Sequence, residues 1–178
     1  QIQDRLDHVV SVSNVSTGLV IDMRNNVSDR LASLRVLTLM TDPADMEPEL
    51  AKFKEQTAKY TEAQNKLGGI FAKYANDKEK TLLAQIKEHE ATAMPAIARA
   101  SELYLANNAM DATRVMIREV RPVQKKWTDA LNQLAIQEEK QNAQSKVDAE
   151  AAFSNARNFM LTLLVIAVVM GAAAAWFI

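Results

Sequence analysis

The sequence contains no cysteine, which removes disulfides, thiolate nucleophiles and cysteine-bound metals together. Histidine is almost as scarce. His8 and His89 are its two copies, and neither stands in the Glu-x-x-His or His-Glu-x-x-His spacing that a metal centre would use. A haem ligand late in the chain is missing too, and the pair Gly68-Gly69 makes no phosphate loop. Four glycines, four prolines and 6% aromatic residues argue against a β-rich domain. A net charge of −1 provides no field for nucleic acid, so no nucleic-acid partner is expected. Without a nucleophile, a base pair or a metal set, an enzyme is the least favoured class, and no cofactor is expected.

Helix formers dominate the 178 residues, enough for one soluble domain and one membrane span. The periodicity predicts a first helix over about Asp4 to Met40, with Val20, Val27, Leu31, Leu34 and Thr38 as its seam. Val36, Leu37 and Leu39 widen that seam toward a second partner, which points to a homodimer. Thr41-Asp42-Pro43 ends the helix, because the residue before proline avoids the α region. A second helix is expected from about Met46, capped by Asp45, through Gly68-Gly69 to Tyr74. The turn Ala75-Asn76-Asp77 leads to a third helix over about Lys78 to Leu105, kinked at Pro95. His89 belongs to this helix as a partly exposed packing residue.

The last helix is expected to run unbroken from about Ala109 to Ile178. Its seam is Met110, Thr113, Ile117, Val120, Gln124, Trp127, Leu131 and Leu134, and Pro122 is its one breaker. Its end, FMLTLLVIAVVMGAAAAWFI from Phe159 to Ile178, carries no charge and at 1.5 Å per residue spans about 30 Å, a bilayer's hydrocarbon core. The fold class is therefore all-α: an antiparallel up-down-up-down four-helix bundle whose last helix is continuous with a transmembrane span. Residues 1–158 form the ligand-binding sensor domain and residues 159–178 the span. Laying the first helix beside the last puts the level of Phe159 just upstream of Gln1, so a first span is expected there.

Arg30, Arg35, Arg99, Arg114, Arg118 and Arg121 stand at one height near the distal turns. Arg114, Arg118 and Arg121 are spaced so that they share one side of the last helix, flanking Thr113. Arginine presents a planar fork of donors suited to carboxylates, and Thr113 adds a hydroxyl. The cluster is thus expected to bind a small di- or tricarboxylate. The plainer alternative is a solvated charge stripe, because Asp42, Asp45, Glu47, Glu49, Glu102, Asp111 and Glu119 lie in the same half.

The segments DRLASLRVLTLMTDPADMEPELAKF and ANNAMDATRVMIREVRPVQKKWTDAL, with the span NARNFMLTLLVIAVVMGAAAAWFI, carry a resemblance. The chain resembles the periplasmic four-helix-bundle sensor domain of bacterial methyl-accepting chemotaxis proteins, the group of aspartate and serine receptors. The resemblance implies an inner-membrane receptor with residues 1–158 in the periplasm. It also implies a homodimer, and cytoplasmic signalling partners reached through a region downstream of Ile178. In aspartate-type receptors, arginines near the distal end of the first helix bind ligand carboxylates, and Arg30 and Arg35 sit where two such arginines would. A further arginine one turn on finds Leu39 or its apolar neighbours here, and the Arg114–Arg118–Arg121 stripe lies outside the aspartate pattern. Together these imply a more anionic ligand, such as malate or citrate, whose binding shifts the last helix by about 1–2 Å. Two alternatives stand beside the chemoreceptor: the sensor of a membrane histidine kinase or cyclase, and a tail-anchored helical tether without a small ligand.

Overall fold

The structure, a computed structural model, describes the backbone of residues 2–40 and 42–177 and the side chains of residues 12–40, 42 and 44–171. Thr41 and the side chains of His8, Trp176 and Phe177 lie outside the described residues. Helix α1 covers Ile2–Leu37, α2 Pro43–Tyr74 and α3 Asp77–Leu105. Ala109–Val115 (α4) then passes through a π-helical turn, Met116–Val120, into α5, Arg121–Phe177. No strand occurs among the described residues. Helix α1 lies against α2 and α5, and α3 against α2 and the α4–α5 rod, giving the antiparallel bundle expected from the periodicity.

Each connection is closed by a side chain suited to it. Asp42, rather than Asp45, caps α2: its carboxylate accepts the Ala44 N–H at 2.9 Å, and Pro43 occupies the first helical position, where no N–H is needed. The helix starts three residues before the expected Met46, because Pro43 rather than Pro48 is its first-turn proline. Asn76 and Glu79 form a reciprocal capping box at the start of α3, with bonds of 3.0 and 2.8 Å. At the end of α3, Asn107 takes the left-handed conformation at φ 57. The Asn108 N–H then reaches the Leu103 carbonyl at 2.9 Å and the Asn107 N–H the Tyr104 carbonyl at 3.0 Å. Asn108 in turn caps α4 through the Asp111 N–H.

The core of the last helix departs from expectation in a specific way. Below Pro122 the buried positions are those anticipated: Gln124, Trp127, Leu131 and Leu134. Above it, Met110 is 76% exposed, Ile117 57%, and Thr113 half-buried, while Ala112 and Val115 are buried instead. The π-helical turn is the reason. Arg121 donates its N–H to the Met116 carbonyl, so the interval from Val115 to Val120 holds one residue more than a regular seam allows. Pro122 favours this opening, since a regular helix would press its ring against the Arg118 carbonyl. Counting back by three and four from Val120 therefore lands one position off.

From Phe159 to Gly171 no other helix covers α5 among the described residues: Phe159 is 65% exposed, Leu164 61% and Met170 65%. The most apolar 18-residue window of the rod has a mean hydropathy of 1.6 and is 0% buried. Apolar surface on this scale, left uncovered by its own fold, fits a transmembrane segment continuous with the bundle.

Candidate functional site

Two features occupy the distal half of the bundle, and the sequence had merged them. One is a buried layer. Arg30 is 2% exposed. Its guanidinium carbon sits 4.7 Å from the ring centres of both Tyr60 and Trp127. The rings themselves meet edge to face at 5.2 Å and 83°. Trp127 Nε1 donates to the Tyr60 hydroxyl at 3.0 Å. Gln64 donates to the same hydroxyl at 3.2 Å and to Glu90 at 2.6 Å. Burial lowers the pKa of Arg30, with Tyr60 and Glu90 opposing it, and raises that of Tyr60. One residue layer thus joins α1, α2, α3 and α5. It takes Arg30 away from the distal surface, which corrects its expected place among the ligand contacts. A guanidinium clasped by two rings gains cation–π stabilisation of about 2 kcal/mol where water is excluded.

The second feature is an open cleft of about 440 Å³ between α1 and the α4–α5 rod. Leu31 and Arg35 line it from α1 and Thr38 from the turn just after; Thr113, Met116, Ile117, Arg121 and Gln124 line it from the rod. Arg35, Thr113 and Arg121 are therefore brought together, as expected. The π-helical turn is what allows it, because Thr113 and Arg121 would stand about 80° apart on a regular helix. The other arginines of the stripe are elsewhere. Arg114 pairs with Asp111 at 2.7 Å, Arg99 pairs with Glu119, and Arg118 is exposed and lines no part of the cleft. The three arginines of the rod do not share one side, since the extra residue of the turn rotates Arg121 away from Arg114.

No aspartate or glutamate lines the cleft, and among the described residues neither Arg35 nor Arg121 has an acidic partner. Two guanidinium groups from separate helices, the Thr113 hydroxyl and the Gln124 amide thus face one volume, while the Thr38 hydroxyl donates to the Arg35 carbonyl at 2.6 Å. Such a donor set suits carboxylate oxygens. Thr38 and Gln124 had been placed in the seam. The spacing Leu31–Arg35–Thr38 along one face of α1 and into the turn after it was the available signal for Thr38.

A four-helix bundle with a donor-lined cleft at one end and an uncovered apolar helix at the other has the layout of a sensory module. The family described as four helix bundle sensory module for signal transduction matches residues 1–153, and the chain belongs to that family, whose members serve chemoreceptors. No curated protein matches the chain.

Proposed function

We propose that the chain is the sensor of a transmembrane chemoreceptor, lying outside the cytoplasmic membrane in the periplasm, and that its ligand is a small di- or tricarboxylate bound in the α1–α4/α5 cleft. The observation that carries this reading is the pair Arg35 and Arg121, converging from two helices on a volume without a compensating carboxylate. Family membership supports the sensory role, and the uncovered apolar end of α5 supports the membrane. In this reading Arg35 and Arg121 grip the carboxylates, Thr113 and Gln124 bond what remains, and the exposed Arg118 adds long-range attraction. The homodimer and the cytoplasmic output belong to the same proposal.

Calorimetric titration with malate, citrate, succinate and aspartate tests it. A charge-assisted hydrogen bond contributes roughly 1.5–3 kcal/mol, so Arg121→Ala or Arg35→Ala should weaken binding about ten- to a hundredfold at unchanged helical content. Lysine at either position should rescue part of the loss, keeping charge without the fork. Arg99→Ala, remote from the cleft lining, should cost little. If none of the four acids binds, or if both alanine variants bind them unchanged, the proposal fails.

A further inference from the structure

At the other end of the bundle, beside the α2–α3 turn, α1, α2, α3 and α5 line a second, half-open cavity of about 160 Å³. Phe71 and Val12 give it an apolar wall, while Ser16, Ser145, Glu79 and Glu138 give it an acceptor-rich one. Both glutamates are buried, Glu79 at 2% exposure and Glu138 at 3%. Glu79 has structural work, since its Oε2 accepts the Asn76 N–H at 2.8 Å to close the capping box. Glu138 shares a hydrogen bond with the Glu79 carboxyl, but its Oε1 is buried without a partner, and the residue lines the cavity. Across from it, the buried hydroxyl of Ser13 on α1 is also unpartnered.

The titratable groups lining the cavity are Tyr74 from α2, Glu79 from α3 and Glu138 from α5, with none among the described residues of α1. No lysine or arginine pairs with either glutamate among the described residues. Burial, and then the neighbouring Glu79 carboxyl, push the Glu138 carboxyl up to about 8. Two buried carboxyl groups in contact cannot both ionise without a compensating cation: they keep a proton or take in a positive charge.

We propose that this cavity is a second ligand site, for a small primary alkylammonium ion, whose –NH3+ group replaces the proton held between Glu79 and Glu138 while its alkyl chain lies on Phe71 and Val12. The exchange balances, one ammonium entering and one proton leaving to solvent. The three donors of the ammonium match the free Oε1 of Glu138, the Ser13 hydroxyl and a further serine oxygen. A hard metal ion fits less well, because it needs six or more oxygen ligands and half of this wall is carbon. A cavity near 150 Å³ accommodates benzene, so a chain of about four carbons with its nitrogen fits. Glu138 lies about 30 Å before the span on α5, and Asn142, one turn on, bonds Asn14 of α1 at 2.6 Å. Occupancy is therefore coupled to the pair of helices that leads toward the membrane.

The test uses the full chain in lipid nanodiscs, titrated calorimetrically with n-butylammonium chloride and, separately, with n-butanol. At pH 8.5 the ammonium should bind and the alcohol at least tenfold more weakly. Below about pH 8 the affinity should fall about tenfold per unit, with one proton released per ammonium, measured from the dependence of the heat on buffer. Glu138→Gln, close in shape to the protonated side chain, should keep the fold and abolish ammonium binding. Arg121→Ala should leave it intact, so this site stands or falls apart from the carboxylate cleft. No ammonium binding at pH 8.5, equal binding of the alcohol, or binding at pH 7 without proton release would each overturn the proposal. The proton count requires no variant.

Discussion

A guanidinium between two aromatic faces needs less water than an ammonium would, and Arg30 uses that property to serve as a core residue. Glu138 is the opposite case, a carboxyl that tolerates burial by keeping its proton. In the unfolded chain it would ionise near the ordinary glutamate value of 4.5; in the folded protein it holds the proton to about 8. Between those values the folded state binds the extra proton, so stability is greatest below the lower value and is lost as pH rises toward the upper one. Thermal melts of a chain ending at Asn155 should show a midpoint falling by several degrees between pH 5 and pH 8.5, and Glu138→Gln should flatten that slope. A flat profile in the unaltered chain would refute the assignment. Neither residue's state was legible in the sequence. The inward track of α1 is Val27, Arg30, Leu34 and Leu37. An arginine at such a position reads as a surface residue, and Leu31 beside it reads as the seam instead. Nothing in Glu79 and Glu138, so far apart along the chain, announces that the bundle brings them together.

Helices, by contrast, were legible nearly end to end, because the three-and-four alternation in α2, α3 and lower α5 repeats without interruption. Asn76 and Asn107–Asn108 marked their turns through chemistry local to the residues. The exception is the rod above Pro122. There the sequence offers two apolar tracks, Met110–Thr113–Ile117 and Ala112–Val115, and only the wider turn decides between them. That turn amounts to a single surplus residue in an otherwise regular seam. Deleting Arg118 together with Pro122→Ala should therefore restore a continuous α-helix with Ala112, Val115 and Val120 still inward. The deleted chain should keep its helical circular dichroism, the buried emission of Trp127 and its carboxylate affinity to within a few-fold, because Thr113 and Arg121 then stand seven residues apart, about 20° from one another on a regular helix. Deleting Gln133 instead, where the seam is regular, should unfold the bundle or lower its melting midpoint by more than 10 °C, since it turns every residue on one side by about 100°. Equal damage from both deletions would show that the turn is not the surplus residue.

For the molecule as a whole, the outward face of α1 matters most. Leu37 is spent in the core, but Val15, Val36 and Leu39 remain exposed at 53%, 37% and 83%. Isolated apolar residues are ordinary, so this face predicts weak self-association that ligand or the span strengthens. Sedimentation of the chain ending at Asn155 should show a monomer–dimer equilibrium that malate or citrate shifts toward dimer. A strict monomer with and without ligand, and for the full chain in nanodiscs, would remove the homodimer from the proposal. The sites themselves sit at different levels of one rod, with the layer of Arg30, Tyr60 and Trp127 between them. A shaft clamped at one level and free above and below behaves as a lever. Sliding α5 along its axis would work against the 3.0 Å bond from Trp127 to Tyr60, whereas tilting pivots about it. A sideways push at Arg121 then becomes an opposite swing at Glu138, and the clasped arginine is the fulcrum.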